Sequence, residues 1–263
     1  MTYGDSQMLT AVEICVDSVE GALAAQKGGA QRVELCDNLV EGGTTPSIGM
    51  ISVTRQQLAI DLNVMIRPRG GDFCYTNWEF AVMQRDIEEV KAAGTDGIVI
   101  GLLNPDGTID QERTAQLIAL ARPLSVTFHR AFDMTVDPHR ALDTLITLGV
   151  DRVLTSGQQP TAFAGLTLLT ALVAQARGQI IILAGGGINE ENVLPIVKQG
   201  GVPEVHLSAR SVVESPMMVR NEQIHMGLLE LSEYQRKTTD VNRVRTIVQL
   251  LERSYGQISE IAR

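Results

Sequence analysis

Cationic residues are scarce in this sequence of 263 residues, because 22 Lys and Arg stand against 31 Asp and Glu and leave a formal net charge of −9. Proteins that bind nucleic acids draw much of their affinity from clustered Lys and Arg, so this balance argues against a nucleic-acid partner. Long apolar runs are missing as well. The longest aliphatic stretch, residues 180–184, is far shorter than the roughly 20 residues that cross a bilayer, so we expect no membrane span. The composition favours a soluble protein with a small partner.

Cysteine is sparse too, with Cys15, Cys36 and Cys74 as the three in the sequence. This odd number lacks the density of a secreted disulfide scaffold. The first ten residues also lack the basic segment and apolar core of a secretory signal. We therefore expect a cytoplasmic protein whose cysteines are reduced thiols.

Short β-rich runs alternate with longer helical patterns along the chain. Eight such runs are present, at residues 12–16, 32–36, 63–67, 97–101, 124–129, 152–156, 180–184 and 204–208. A junction from helix to strand repeats at residues 29–33, 94–98, 149–153 and, loosely, 201–205. Because no linker rich in Ser, Pro or Gly divides these units, they predict a single (β/α)8 TIM barrel, an α/β fold.

The predicted barrel domain covers residues 10–255, between an N-terminal tail at residues 1–9 and a C-terminal tail at residues 256–263. The domain includes an additional C-terminal helix, in which Val241, Val244, Ile247 and Leu251 share one face and predict packing on the barrel or on a second subunit. A doubly wound open sheet is the alternative fold. It is less favoured because residues 17–20, after the first strand, lack the glycine-rich fingerprint of a dinucleotide site.

Capping signals predict where several helices begin. The pairs Thr45-Pro46 and Asp137-Pro138 each combine a side-chain oxygen with a proline suited to the first helical position. Residues 78–93 carry an apolar stripe with helical spacing, which ends at Gly94. Asn189 is the expected cap of the helix after the seventh strand.

Alternation within the strands predicts which side chains face the barrel interior, since successive residues point to opposite sides. Placing the aliphatic residues against the helices leaves a polar set inside: Glu13 and Cys15; Arg32, Glu34 and Cys36; Asn63, Met65 and Arg67; Thr127 and His129; Glu204, His206 and Ser208. Burial of so many charges is costly unless they are paired or serve a ligand. Two interpretations stay open: an ion network of Glu13, Glu34 and Arg67 that holds the barrel closed, and a ligand site.

The C-terminal ends of the strands carry the candidate ligand site. Arg67, His129, Ser156 and His206 fall at or near these ends, where barrel enzymes place their chemistry. The seventh strand leads into Gly185, Gly186 and Gly187, and the eighth into Ser208 and Arg210. Glycines expose backbone N–H groups, and a helix N-terminus attracts anions. This turn predicts an anion site, with a plain tight turn as the alternative.

Several short blocks of the sequence form an ordered set. RPRGGDFCY at residues 67–75 is accompanied by EIC at 13–15, RVELC at 32–36, EGGTTPS at 41–47, FHRAFD at 128–133, LTSG at 154–157 and EVH at 204–206. Together they resemble the CutC family of copper homeostasis proteins over residues 9–251. This family is unrelated to the glycyl-radical choline lyase of the same name. The resemblance implies a TIM barrel, a cytoplasmic homo-oligomer for which we expect a dimer, and a link to copper tolerance.

The resemblance also places the family's proposed copper ligands on Cys15 and Cys36. Both have the same inward parity on neighbouring strands, so their sulfurs can converge, and Met65 lies at a comparable level on the next strand. Cu(I) is soft and prefers thiolate and thioether ligands. On the other side, the sequence has no CxxC and no local cluster of His and Cys, and a buried cysteine is often a small hydrophobe. Cys74, after the third strand, is a weaker third candidate.

Two functions stay open beside a Cu(I) binder. One is an enzyme acting on a small anionic or phosphorylated metabolite, in which Glu13 or Glu34 works with His129 as acid and base. In this hypothesis Arg67 and Arg130 hold the substrate, Asp133 orients a neighbour, His206 is a further catalytic candidate, and Ser156, Gly185, Gly186, Gly187, Ser208 and Arg210 bind the ligand. The other is a noncatalytic barrel that binds a metabolite or a partner protein. A copper binder needs the thiols, whereas an enzyme needs the polar rim.

Overall fold

Eight parallel strands close into a barrel in the computed structural model, which describes residues 10–224, 226 and 232–261. The strands are β1 (Ala11–Val16), β2 (Arg32–Leu35), β3 (Asp61–Met65), β4 (Gly97–Ile100), β5 (Ser125–Phe128), β6 (Arg152–Thr155), β7 (Ile181–Gly185) and β8 (Glu204–Leu207). Each pairs with the next along the chain, and β8 pairs back with β1, where Glu13 is opposite His206. The predicted TIM barrel is confirmed, and each predicted strand is present with small shifts at its ends. The predicted tail at residues 1–9 lies outside the described residues.

Helices follow the strands and cover the outside of the barrel. They are α1 (Val19–Gly28), α2 (Ile48–Gln57), α3 (Asn77–Ala92), α4 (Gln111–Ala121), α5 (Pro138–Leu148), α6 (Leu166–Ala176) and α7 (Val193–Gly200). α5 begins at Pro138 and is capped by the Asp137 carboxylate, as predicted. α3 begins one residue before the predicted stripe, with a capping box in which Thr76 and Glu79 each accept the other's backbone N–H.

Two predicted helix starts are wrong. α2 is capped by Ser47 rather than by Thr45, because the Thr45 hydroxyl accepts the backbone N–H of Arg67 and so ties two loops together. α7 begins at Val193, since the Asn189 side chain accepts a backbone N–H in a turn that precedes the helix. The start of α7 is therefore separated from the glycine turn after β7.

A β-hairpin and a long helix follow the barrel. β9 (Arg210–Glu214) pairs antiparallel with β10 (Gln235–Thr239), an element that the sequence pattern did not reveal. α8 (Val241–Ile261) then packs against α1, and the predicted apolar face is buried at Val244, Ile247 and Leu251. The additional C-terminal helix therefore lies on the barrel. Within the described ranges, none of the helices combines the length and the apolar character that a bilayer crossing requires.

The barrel wall separates an aliphatic core from a polar interior. Val12, Ile14 and Val16 of β1 are buried in the large apolar cluster that the strands share with the helices. Glu13 and Glu34, which the alternation places inside, are also buried, at 1% and 2% exposure. Both faces of the parallel strands are thus shielded from water, as parallel sheets require.

Gly28→Ala is expected to destabilise the fold, because α1 and α8 leave no room for a side chain at Gly28. A Cβ at this position would lie 2.5 Å from Cβ of Val244, so α8 would have to shift. Overpacking of this kind lowers the free energy of unfolding by about 1–3 kcal/mol. Equilibrium urea unfolding followed by circular dichroism measures the difference.

Gly49→Ala in α2 is the matched control, since Gly49 is exposed and a Cβ there would come no closer than 3.9 Å to the nearest atom. Helix propensity predicts a gain of up to about 1 kcal/mol for this substitution. Equal effects of the two substitutions would contradict the close approach of α8 to α1.

Candidate functional site

A buried ion cluster forms the floor of the barrel interior, near the N-terminal ends of the strands. Arg32 donates from Nε to Glu13 Oε2 at 2.5 Å, and from Nη2 to Glu204 Oε2. Arg152 donates to the same oxygen of Glu204 at 2.9 Å. The cation that neutralises Glu13 is therefore Arg32, so the network differs from the one considered among Glu13, Glu34 and Arg67.

His206 connects this floor to the space above it. Its Nδ1 lies 2.7 Å from Glu13 Oε1, and its Nε2 lies 3.7 Å from Glu34 Oε2. Burial opposes the imidazolium charge, but the carboxylates of Glu34 and Glu13 hold the pKa of His206 well above its ordinary value. Burial also opposes the charge of Glu13, yet Arg32 and His206 lower the pKa of this carboxyl to about 2. His206 and Glu13 thus form a buried ion pair.

Cys15 and Cys36 form a buried thiol pair whose sulfurs are 3.8 Å apart. The hydrogen bond from Cys36 lowers the pKa of the Cys15 thiol to about 5, against the effect of burial. The same hydrogen bond, together with burial, raises the pKa of Cys36 well above its ordinary value. Cys36 Sγ also lies 3.4 Å from Glu34 Oε2, and burial raises the pKa of Glu34 well above its ordinary value. The hydrogen bond therefore favours the thiolate form at Cys15 and the thiol form at Cys36.

The donor set around this pair fits Cu(I). Both sulfurs can reach one ion, because their separation of 3.8 Å is shorter than two metal–thiolate bonds of about 2.3 Å each. Met65 packs in the same small cluster and offers the thioether that Cu(I) also accepts. Cys15, Glu34 and Cys36 present ligand atoms within 4.8 Å of one another. Cys74 lies apart from them and lines a different cleft.

A cavity of about 210 Å³ opens above the thiols at the C-terminal end of the barrel. Of the predicted site residues, it is lined by Cys15, Glu34, Arg67, His129, Arg130 and His206. A larger and more open cleft of about 710 Å³ lies between the loops beside α3 and α4, and its lining residues include none of the predicted catalytic residues. We therefore place the candidate site in the smaller cavity, where the buried ionisable groups are.

Arg67 fastens two loops at the edge of this cavity. Its Nη1 donates to the carbonyl oxygens of Glu41 and Gly43 at 2.8 and 2.7 Å, and its Nη2 donates to that of Gly71 at 2.8 Å. The side chain is 4% exposed, and its Nε has no hydrogen-bond partner among the described residues. Much of the guanidinium is thus committed to backbone carbonyls.

His129 lies on the same wall of the cavity. Its Nδ1 accepts the backbone N–H of Ala131 at 3.1 Å, while its Nε2 is buried without a hydrogen-bond partner in the described structure. Burial and the nearby Arg67 charge lower the pKa of His129 to about 3, so the ring is neutral at physiological pH. The Phe73 ring touches both side chains, with its centroid 5.0 Å from the His129 ring and 5.1 Å from Arg67 Cζ.

Asp133, Arg130 and Ser156 form a polar group beside the cavity. Asp133 accepts the backbone N–H of Ser156 at 3.1 Å and pairs with Arg130 at 2.7 Å. Arg130 in turn donates to Ser156 Oγ at 2.9 Å. Asp133 therefore joins the loop after β5 to the end of β6, and Arg130, which lines the cavity, is held between them.

The remaining predicted ligand-binding residues do not line the cavity: Gly185, Gly186, Gly187, Ser208 and Arg210. Gly186 lies close to the side chains of Arg130 and Ser156, and Arg210 is paired with Asp17 at 3.1 Å. The late start of α7 also moves the helix N-terminus away from the glycine turn.

Sequence reasoning missed the residues that complete the cavity wall: Glu41, Gly42, Phe73 and Leu154. All four lie in blocks that carry the family resemblance, at residues 41–47, 67–75 and 154–157. Strand alternation cannot place Glu41, Gly42 or Phe73, because none of them belongs to a strand. Their positions depend on tertiary hydrogen bonds, such as those from Arg67 to the carbonyl oxygens of Glu41 and Gly71.

Comparison with known proteins gives consistent matches over most of the chain. A sequence model of the CutC family matches residues 10–211. The human copper homeostasis protein cutC homolog is 52% identical over 237 residues, which are 90% of this chain and 87% of the human protein. A CutC family protein of Bacteroides thetaiotaomicron is 49% identical over 242 residues, 91% of this chain and 97% of that protein. The crystal structure of CutC from Streptococcus agalactiae superposes with a TM-score of 0.73 at 36% identity, covering 76% of this chain and 99% of that one.

Glu13→Gln is expected to lower the free energy of unfolding at pH 7 by about 3–5 kcal/mol, because it removes the charge that Arg32 and His206 share. The pKa of Glu13 is about 2 in the fold against an ordinary value of 4.5, so its contribution is complete above pH 4.5 and is lost as the pH falls towards 2. The free energies of unfolding of wild type and variant, measured with urea, should therefore converge as the pH falls over this range.

The matched control is Glu190→Gln, since Glu190 accepts two hydrogen bonds from Arg243 at 2.7 and 2.8 Å on a partly exposed surface. A surface pair of this kind contributes less than about 1 kcal/mol. Losses of similar size in the two variants would argue against the floor cluster as a determinant of stability.

Proposed function

The chain belongs to the CutC family, and on this premise we propose that it serves copper homeostasis by binding Cu(I) through the thiolates of Cys15 and Cys36. The observation that carries the proposal is the pair of sulfurs 3.8 Å apart beside a cavity at the C-terminal end of the barrel. Soft sulfur donors distinguish Cu(I) from the harder cations that carboxylates prefer. The adjacent thioether of Met65 supports the same ion.

The neighbouring acids account for the proton that binding releases. A thiol loses its proton when it becomes a metal ligand. Glu34 Oε2 lies 3.4 Å from Cys36 Sγ and accepts its hydrogen bond, so in its carboxylate form this group is placed to accept the proton. His206 Nε2 lies 3.7 Å from the same oxygen and lines the cavity. In this proposal Glu34 and His206 connect the thiol to the cavity.

A second candidate function is an enzyme that acts on a small anionic metabolite in the same cavity. It is favoured by the buried polar wall, which a pair of copper thiolates does not require. Arg67 and Arg130 are placed to hold the substrate, and Glu34 is the acid or base nearest to the thiols. The anion site expected at the glycine turn belongs to this second proposal as a subsite outside the cavity, formed by Gly185, Gly186, Gly187, Ser208 and Arg210.

We further propose that the protein acts in the cytoplasm as a homodimer. Reduced thiols persist in the cytoplasm, and the Cu(I) site needs both of them reduced. The hairpin and the segment that connects its strands carry exposed apolar side chains, since Val212 on β9 is 55% exposed and Val219 between β9 and β10 is 81% exposed. Exposed apolar patches often mark contacts between protein molecules, so the hairpin is the surface that we assign to the dimer.

Light scattering is expected to give about twice the mass of the 28.5 kDa chain. The double variant Val212→Lys/Val219→Lys should give the mass of a monomer, because desolvating two lysines opposes association. Trp78→Lys is the control, since Trp78 is 84% exposed on α3 and should not alter the mass. A monomeric wild-type protein would contradict the dimer.

Anaerobic titration of the reduced, metal-free protein with Cu(I) against a competing chelator is expected to reveal one tight site. Cys15→Ser/Cys36→Ser should weaken this binding by more than about 100-fold, the upper range for loss of residues that merely support a ligand. Cys74→Ser is the matched control and should bind as wild type, because Cys74 lines another cleft. Unchanged affinity in the double variant would overturn the thiolate site.

A further inference from the structure

Two residues that line the candidate cavity each carry a buried hydrogen-bond donor without an acceptor in the described structure. Arg67 Nε and His129 Nε2 are buried atoms that have no hydrogen-bond partner in the described structure, and both residues line the cavity. Each side chain is 4% exposed. A buried donor without a partner loses its hydration and gains nothing in return, so native structures rarely keep one that no ligand or water serves.

The surroundings of His129 define which atom carries its proton. Nδ1 accepts the backbone N–H of Ala131, so in the neutral ring the proton is on Nε2. The low pKa of His129, about 3, keeps the ring neutral. Its Nε2 is therefore a donor at physiological pH, and the group that it meets must be an acceptor.

The charge of Arg67 points to the same kind of ligand. Arg130 and His206, the other cations of the cavity, are paired with Asp133 and Glu13, each at 2.7 Å. Arg67 instead donates to three backbone carbonyls, and no described carboxylate lies within ion-pair distance of it. A buried cation without a counter-charge is costly, which favours an anion next to it.

We propose that the cavity binds a small carboxylate, whose oxygens accept hydrogen bonds from Arg67 Nε–H and His129 Nε2–H. The proposal deepens the second candidate function and is independent of copper. Two donors match the two oxygens of a carboxylate. A phosphate, with a charge of about −1.5 to −2 and three terminal oxygens, would leave acceptors unserved.

The size of the cavity and the groups on its thiol side restrict the class of ligand further. The cavity of about 210 Å³ is below the range of about 300–1,000 Å³ that is typical of drug-sized ligands. On the thiol side, Glu34 Oε1 is a third buried atom without a hydrogen-bond partner in the described residues. A small hydroxy acid or amino acid of a few heavy atoms fits this arrangement. Its carboxylate can accept hydrogen bonds from Arg67 and His129, and its hydroxyl or amino group can donate to Glu34 Oε1.

The test uses ¹⁵N-labelled, reduced, metal-free protein and three probes: glycolate, its neutral amide glycolamide, and inorganic phosphate. Glycolate should shift the Arg67 Nε–H and His129 Nε2–H resonances with saturation, because both donors gain an acceptor. Glycolamide should produce no saturable shift, since it lacks the charge. No shift with glycolate, equal shifts with glycolamide, or saturation with phosphate alone would each overturn the proposal.

Two substitutions of His129 separate binding from structure. In His129→Asn the amide oxygen can replace Nδ1 as acceptor for Ala131, but the distal donor is lost, so glycolate should bind about tenfold or more weakly. In His129→Gln the amide N–H can take the position of Nε2, so binding should be largely kept although the local turn is weakened. The opposite order of affinities would show that His129 acts through structure alone.

Cys74→Ser is the matched control and is expected to bind glycolate as wild type does, because Cys74 lines another cleft. The glycolate titration uses metal-free protein and the Cu(I) titration uses no glycolate, so failure of one proposal is distinguishable from failure of the other. Loss of glycolate binding in Cys74→Ser would show that the resonance shifts do not report on the cavity and would contradict the proposal.

Discussion

The carboxylate of Glu13 is the interaction on which the rest of the site depends. It accepts hydrogen bonds from Arg32 on β2 and meets His206 on β8, so one side chain of β1 contacts both neighbouring strands where the barrel closes. Because the group is buried, its charge is acceptable only while both partners are in place. The orientation of His206, and through it the surroundings of Glu34 and the thiols, follows from this contact.

Two kinds of functional group lie in the barrel interior. One wall offers sulfur and carboxyl groups, from Cys15, Cys36 and Glu34, and the other offers N–H donors from Arg67 and His129. A soft metal ion and an organic anion make opposite demands on a protein, since the first requires thiolates and the second requires cations or N–H groups. The barrel brings both kinds of group into one small volume because neighbouring strands present side chains to the same interior.

Most of the fold and much of the site could be predicted from the sequence, because strand alternation is a local property. The aliphatic residues of β1 determine that Glu13 and Cys15 face inward, and the same logic places Arg67 and His129. Their partners could not be predicted. Arg67 bonds to carbonyl oxygens of loops, which have no periodicity, and the Asn189 side chain begins a turn rather than a helix. The hairpin of β9 and β10 lacks the clear alternation of a half-buried strand, because most of it is exposed.

The hydrogen bonds from Arg67 to the loops at residues 41–43 and 71 constrain one edge of the cavity mouth. With both loops fastened to one buried side chain, that edge of the mouth cannot swing open without breaking three hydrogen bonds. Arg130, which follows β5, has a side chain that is 44% exposed and is held by one carboxylate and one hydroxyl. The two arginines of the cavity lining are therefore constrained to different degrees: Arg67 cannot move without releasing both loops, whereas Arg130 can change conformation by breaking contacts with two side chains.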